Sequence, residues 1–291
     1  MSLATLVPLL IKLSIMLSVF AIGLKATFAD AIYLFRCPGK LLRAFVSMFV
    51  IMPLFALLID STFELNPPLR IALVALAVSP LPPILPNKAM KAGGREDYTI
   101  GLLTATAVLS VIVIPLTMEL VERISGVPLQ MRARDVAALM LSSVLVPLLL
   151  GMGVRHLWSS FAERAAKPIA TVGMAVLVLA CLPILFTSVR AILTYVGDGT
   201  LIALSSFALV GIIVGHLLGG PDLKGRVVLA IATSSRHPAV ALAIGHANFP
   251  NQKLGPFVLV YLVLSAILAM PYLSWARSHS TSTTSEKQVE A

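Results

Sequence analysis

The sequence predicts an all-α polytopic membrane protein in which two of the membrane-spanning helices are broken at mid-depth. Of its 291 residues, 58% are hydrophobic and only 12% are charged, whereas soluble domains have roughly 25% charged residues. Apolar stretches of about 20 residues, long enough to cross a hydrocarbon core about 30 Å thick, recur along the chain. Two of these stretches contain prolines or polar residues at their centres. A water-soluble fold of this size has no interior for so much apolar surface.

Nine apolar runs, bounded by charged and turn residues, are the predicted helices. Backbone groups in lipid must be satisfied within their own segment, so the runs are predicted to be helical. The short connections predict one transmembrane unit over 1–277, made of two repeats at approximately 1–120 and 135–277. The Ser- and Thr-rich residues 278–291 are predicted to be a disordered cytoplasmic tail. The helices are predicted at 5–24, 41–60, 69–93, 98–118, 136–157, 168–189, 199–219, 225–248 and 254–275.

The positive charges define the predicted orientation. The 22 Lys and Arg give a net charge of +9 but lie mostly in short loops, without the basic face that would indicate nucleic acid binding. With the N-terminus outside, the inner loops and C-terminus hold 14 of them, the outer loops hold 6, and Lys12 and Arg236 lie inside the membrane. We therefore expect a multi-pass protein of the inner (plasma) membrane with a cytoplasmic C-terminus. The first run, which no cationic segment precedes, is interpreted as a retained helix rather than as a signal peptide.

The residues argue against an enzyme, and no cofactor is expected. Asp and Glu are confined to loops, and Ser234 or Ser235 beside His237 belongs to no wider catalytic motif. Cys37 and Cys181 have neither CxxC spacing nor a nearby His cluster, so a thiolate metal site and a disulfide scaffold are both poor interpretations.

The third run is broken by four prolines within seven residues, Pro80, Pro82, Pro83 and Pro86. Each proline removes a backbone donor and clashes with the preceding turn. We therefore predict two half-helices joined by an extended segment, and we expect the second to present Pro86 and Asn87 to a bound substrate. Asn87 also suits a cap of that half-helix, and the two roles are compatible.

The eighth run is broken by Ser234, Ser235, Arg236 and His237, which precede Pro238 and have apolar sequence on both sides. A charged residue at this depth costs at least about 2.5 kcal/mol on insertion scales, so Arg236 is expected to face the interior. We predict that the four polar residues bind substrate. For Arg236 the alternative is pairing only with carbonyls freed at the break. For His237 a proton relay and a hydrogen-bonded core histidine are both open.

Two broken helices that run in opposite directions, in corresponding places of two halves, are typical of inverted-repeat transporters with a site at the midplane. The N-termini of the half-helices direct unpaired N–H groups and positive dipole ends at that site. A carboxylate or another anion suits such a place. The predicted function is secondary active transport of a small organic anion across the lipid bilayer. The place where the two broken helices meet is here called the crossing. A channel or a membrane-embedded sensor that uses the crossing as a binding site is the alternative.

The residues of both breaks resemble those of the bile acid:sodium symporter family. The similarity is carried by the stretch 79–83 with Asn87 after it, by the region of Thr104 and by the segment 234–242, and it includes 23–54. The resemblance implies ten helices, or nine when the first is absent, arranged as a panel and a core domain. This chain resembles the nine-helix form. The resemblance also implies bile acids, sulfated steroids or smaller acids such as pyruvate or pantothenate as substrates.

The sodium ligands that the resemblance implies are largely replaced. At the positions of one sodium site this chain has Pro86, Asn87, Ile100, Thr104 and Ser234. Only Asn87 and Thr104 match, so these two, with Ser234 in place of a glutamate, are the remnant of an ion site. The second site has approximately Met48 and Pro238 where the family has glutamines. We hypothesise that Arg236 supplies a fixed positive charge in place of sodium; a sodium-coupled symporter with altered ligands is the alternative.

Other features have structural interpretations. Lys12 and His216 lie in apolar helices away from the breaks, where snorkelling or interhelical hydrogen bonding is expected. Gly211 and Gly215 predict close helix packing. The charged inner turn 91–97 is interpreted as a solvated corner rather than as a gate. The sequence leaves the substrate, the direction of transport and the oligomeric state open.

Overall fold

The computed structural model describes residues 3–82, 85–125, 138, 141–195 and 199–289, and all regular secondary structure in these ranges is helical. The predicted all-α class is therefore confirmed for this part of the chain. Three helices there, Pro38–Thr62, Thr200–Leu218 and Gly255–His279, are long and apolar enough to cross a bilayer, with mean hydropathies of 2.3, 2.3 and 2.1. Shorter apolar helices accompany them, and the whole set fits a polytopic membrane protein.

The helical segments follow the predicted runs. Each of the nine predicted runs contains at least one segment, and the two predicted breaks fall between α4 and α5 and between α10 and α11. In chain order the segments are α1 (Leu3–Gly23), α2 (Phe28–Ile32), α3 (Pro38–Thr62), α4 (Pro67–Val78), α5 (Leu85–Lys91), α6 (Glu96–Ser125), α7 (Leu141–Leu157), α8 (Ser159–Tyr195), α9 (Thr200–Leu218), α10 (Leu223–Ser234), α11 (Pro238–Asn248) and α12 (Gly255–Val289).

One part of the prediction needs correction. The short helix α2 was not predicted; it is held by a capping box, in which Thr27 Oγ1 accepts from the Asp30 N–H and the Asp30 carboxylate accepts from the Thr27 N–H. The helix α12 extends as far as Val289, within residues 278–291. The predicted disorder of this tail stays a prediction.

The first break begins where α4 meets its prolines. The Ser79 N–H and hydroxyl both donate to the carbonyl of Leu76, which ends the helix. Pro80 and Pro82 have no N–H to continue it, and α5 begins only at Leu85, whose N–H donates to the Pro82 carbonyl at 3.0 Å. The carbonyls of Ser79 and Pro80 are therefore available to accept hydrogen bonds from other elements.

The second break is shorter. The Ser235 N–H closes α10 by donating to the Ala232 carbonyl at 3.2 Å, and α11 begins at Pro238. Proline suits the first helical position because the N–H that it lacks has no intrahelical partner there. Arg236 and His237 thus lie in extended backbone between two helices that are buried along most of their length.

A third irregularity lies in α3, where the turn Val46–Ile51 is π-helical. It comes just before Pro53, which has no N–H to donate to this turn. Such π-helical turns are frequent at functional sites. The helix α7 shows the same arrangement, with a π-helical turn at Leu141–Leu145 before Pro147.

The broken helices lie at the boundary between two apolar cores. One core joins α3, α4, α9, α11 and α12 with Ile114 of α6, and the other joins α3, α5, α6, α9 and α10 with Ala269 of α12. The half-helices are therefore paired across the breaks, α4 with α11 and α5 with α10. The helices α1, α7 and α8 form further apolar clusters, to which α2 and α6 contribute.

Candidate binding site at the two helix breaks

The two breaks are in direct contact through their backbones. The His237 N–H donates to the carbonyl of Pro80 at 3.0 Å and to the hydroxyl of Ser79 at 3.2 Å. The His237 N–H and the Pro80 carbonyl were both released by the interruption of their own helices. The breaks therefore satisfy part of each other's hydrogen bonding, as buried backbone groups in a membrane require.

Arg236 connects this contact to α3. Its side chain is buried, with only 1% of the residue exposed. Nη1 donates to the carbonyl of Ser79 at 3.3 Å and Nη2 to the carbonyl of Met48 at 3.2 Å, in the π-helical turn of α3. Nε has no partner within the described residues. One guanidinium thus spans both breaks and the irregular turn of α3.

The charge of Arg236 has no counter-ion among the described residues. The ion pairs found there are Arg70–Asp60, Arg95–Asp97 and Arg123–Glu119, all partly exposed to solvent. Removing a charge from water costs several kcal/mol, and two carbonyl dipoles replace only part of its hydration. The helix α11 begins at Pro238, and the positive end of its dipole adds further positive potential at this place. The crossing is therefore an electropositive site that suits an anion.

The His237 ring lies at the same place. The residue is 2% exposed, and neither Nδ1 nor Nε2 has a hydrogen-bond partner in the described part of the chain. His237 is the residue before α11, yet its side chain makes no capping bond. The predicted hydrogen-bonded core histidine is therefore not what the geometry of the described residues shows.

The helix α12 also reaches the crossing. The Tyr261 hydroxyl donates to the carbonyl of Ser234 at 2.5 Å. Near it, Ser47 on α3 and Thr233 on α10 share a hydrogen bond of 2.5 Å between their hydroxyls. Sequence reasoning missed these residues and the Met48 carbonyl. The available signals were polar residues within apolar runs, and Pro53, which indicates a free carbonyl in the turn before it.

The structure brings together only some of the predicted site residues. Ser234, Ser235, Arg236 and His237 are all buried at the second break, with at most 7% exposed. The backbones of Pro86 and Asn87 lie in the first turn of α5, but their side chains are outside the described residues. Their predicted roles in substrate binding stay predictions.

The predicted ion-site remnant of Asn87, Thr104 and Ser234 stays a prediction. The Thr104 hydroxyl donates to the Ile100 carbonyl of its own helix at 3.0 Å. The Ser234 hydroxyl lies 3.2 Å from the Ile231 carbonyl of its own helix, to which it donates. These two hydroxyls therefore satisfy their own helices, and Asn87 lies outside the described side chains.

The structural interpretations of two other features are confirmed. A Cβ on Gly211 would lie 2.9 Å from Ser234 Cα, and one on Gly215 would overlap the backbone at Ala230, so α9 and α10 are in close contact next to the break. His216 Nδ1 and the Tyr272 hydroxyl form an interhelical hydrogen bond of 2.8 Å.

The charged turn 91–97 lies beside an open groove of about 520 Å³. Arg95 donates to Asp97 there, which raises the pKa of Arg95 and lowers the pKa of the Asp97 carboxyl. The side chains of this pair are 40% and 33% exposed, as expected of a solvated corner. The groove is lined by Lys25, Asp30, Arg95, Glu96, Asp97 and Arg155.

Fold and site together define a membrane-embedded helical protein in which two broken helices meet around a buried cation. The model of the sodium bile acid symporter family matches residues 10–195, more than half of the chain. The chain therefore belongs to the sodium bile acid symporter family, and it is a membrane transporter of that type. The match ends before α10, so it does not include Arg236. No curated protein matches the chain.

Proposed function

We propose that this protein is a secondary active transporter of a small organic anion, a carboxylate or a bile-acid-like compound, that works by alternating access about its two broken helices. One observation carries the proposal. Arg236 is buried where the breaks meet, and it has no carboxylate partner among the described residues. A bound anion would supply the missing negative charge.

The donors of Arg236 suit such a ligand. A guanidinium has five N–H groups in a fixed, planar arrangement that matches carboxylates and phosphates. Two of them account for the bonds to Ser79 and Met48, and Nε has no partner in the described structure. The two carbonyls hold the guanidinium in place without neutralising it. It is therefore positioned for an anion before the anion arrives.

The same arrangement supports transport without sodium. Sodium prefers hard oxygen ligands, and the Ser79 and Met48 carbonyls are the oxygens closest to this charge. Both already accept from the guanidinium, and its charge repels a second cation. We infer that Arg236 takes the place of an ion. Either exchange or another ion gradient then drives transport.

The order of the helices supports alternating access by inverted repeats, and the excess of Lys and Arg in the predicted inner loops supports an outside N-terminus and a cytoplasmic C-terminus. The first broken pair follows the full helix α3 and precedes α6, which contains Pro115. The second follows the full helix α9 and precedes α12, which contains Pro271. Each half thus has one broken helix between two full helices, and the full helix that follows the break contains a proline.

A thermal-shift screen tests the binding site. Purified protein is heated with benzoate, pyruvate or cholate, with sodium or with potassium as the cation. We expect at least one anion to stabilise the wild type equally in both salts, and Arg236→Gln to remove this stabilisation. Arg70→Gln is the matched control, because Arg70 lies in an exposed ion pair with Asp60. An equal anion response in wild type and Arg236→Gln would remove Arg236 from the site.

Proteoliposomes test the transport mechanism. We expect saturable counterflow of the stabilising anion when potassium replaces sodium on both sides. Uptake that requires sodium would instead establish the sodium-coupled alternative. Flux that does not saturate and shows no counterflow would indicate a channel, and binding without flux would indicate a sensor.

A further inference from the structure

The His237 ring is the most unusual polar group at the crossing. Its backbone is fixed there by two hydrogen bonds, to the Pro80 carbonyl and to the Ser79 hydroxyl. Its ring is buried, yet both nitrogens are unpartnered within the described residues. Buried polar groups nearly always have partners, so each exception calls for an explanation. At a candidate binding site, such a ring points to a ligand that supplies the partner.

The surroundings of the ring are positive. Arg236 is next to it, and the positive end of the α11 dipole begins at Pro238. The other titratable side chain bonded to this region is Tyr261, through the Ser234 carbonyl. Protonation of His237 beside these positive groups is therefore unfavourable when no anion is bound.

The elements packed around the crossing carry other charged side chains, among them Lys40 and Arg43 on α3 and Lys224 and Arg226 on α10. The described titratable side chains on them include Arg70 on α4, which is paired with Asp60, and His216 on α9, which is bonded to Tyr272. On α5, Lys88 is partly buried. No carboxylate in the described part of the chain forms an ion pair with Arg236 or His237. The anion itself would thus supply the negative charge that contacts Arg236 and His237.

We propose that an anion bound at the crossing places one proton on His237, so that anion and proton bind together. The inference rests on the proposed function, since it needs an anion beside Arg236. The proton comes from the water on the open side of the membrane and bonds to the free ring nitrogen. A nearby negative charge favours the protonated form of the ring. In that form both ring nitrogens, which have no partner in the described structure, carry an N–H that can donate a hydrogen bond.

This arrangement separates two tasks. Arg236 stays charged throughout and attracts the anion, whereas His237 gains a proton with the anion and loses it when the anion leaves. The proton gradient then contributes to the driving force. Because His237 is neutral without the anion and charged with it, anion affinity increases as the pH falls.

The first test measures affinity against pH. Dissociation constants for benzoate, pyruvate and cholate are determined by thermal titration from about pH 6 to about pH 8, where carboxylates remain ionised. We expect affinity to increase by up to tenfold for each unit of decrease in pH. The His237→Gln variant should bind with an affinity that does not change with pH. The control His216→Gln, at the inner end of α9, should behave like the wild type.

The second test counts protons on the wild type, so it does not depend on whether a variant folds. Calorimetric titration in two buffers with different heats of ionisation should give one proton taken up per anion bound. Binding without proton uptake, or a pH dependence that persists in His237→Gln, would overturn this inference and leave the proposed function standing. If none of the three anions binds at any pH, the proposed function fails, and this inference fails with it.

Discussion

The guanidinium of Arg236 donates a hydrogen bond to the carbonyl of Met48, 3.2 Å away, although 188 residues separate the two in the sequence. The carbonyl belongs to the π-helical turn that precedes Pro53, and the guanidinium also reaches the first break at Ser79. Three interrupted stretches of helix therefore converge on one cation. The same side chain determines both the cohesion of the crossing and its charge.

Replacing Arg236 with Ala should destabilise the protein by about 2–6 kcal/mol, because two buried carbonyls lose their donor and each unsatisfied group costs about 1–3 kcal/mol. The free energy of unfolding in detergent micelles measures the loss. Arg70→Ala is the control, since its exposed ion pair is worth about 0–1 kcal/mol. Equal stability of the two variants would show that the carbonyls do not need Arg236.

Replacing Tyr261 with Phe should cost about 1–3 kcal/mol, because the Ser234 carbonyl is left without its hydroxyl donor. We also expect weaker stabilisation by the anion, since this carbonyl adjoins the second break. Tyr272→Phe is the matched control: its hydroxyl bonds to His216, further along α12. It should lower thermal stability without changing the anion response. If both variants change the anion response alike, the effect comes from general destabilisation of the packing of α12 and not from the bond of Tyr261 at the crossing.

The positions of the breaks were predictable from the sequence because proline acts locally. Pro80, Pro82 and Pro238 lack the N–H that a continuous helix needs, whatever surrounds them. The burial of Arg236 was predictable for a similar reason, because a charge in an apolar run must avoid lipid. Apolar length and proline spacing therefore predicted the helical class and the positions of both breaks.

The partners of Arg236 were not predictable, because they depend on tertiary contacts. The Met48 carbonyl becomes available through the π-helical turn before Pro53, and only the packed structure brings it to the second break. The sequence also does not show that the His237 ring has no hydrogen-bond partner among the described residues. From the sequence alone, a proton relay and a hydrogen-bonded core histidine are equally open. A hydrogen bond, or its absence, is a property of the folded arrangement.

Replacing Gly211 with Ala should destabilise the contact between α9 and α10. The new Cβ would lie 2.9 Å from Ser234 Cα and 3.1 Å from the Thr233 carbonyl oxygen, both backbone atoms that cannot rotate away. Overpacking of this kind costs about 1–3 kcal/mol. Thermal unfolding measures the effect. The control is Gly153→Ala, where a Cβ meets nothing within 4 Å. A harmless Gly211→Ala would mean that the two helices are not in close contact.

The Arg95–Asp97 pair should give a small acid-sensitive contribution to stability. Bonding to Arg95 lowers the pKa of Asp97, so the folded state holds its carboxylate more readily than the unfolded state does. This stability is present above the ordinary pKa of aspartate and is lost as the pH falls through the lowered value. Because both side chains are partly exposed, the contribution is at most about 1 kcal/mol.

The measurement is the difference in unfolding free energy between wild type and Asp97→Asn, followed from neutral to acidic pH. We expect the wild type to be more stable at neutral pH and the two to converge in acid. Glu96→Gln is the matched control, because Glu96 lies next to Asp97 but is absent from the ion pairs of the described residues. A constant difference across the whole pH range would show that the carboxylate charge of Asp97 is not what stabilises the charged turn 91–97.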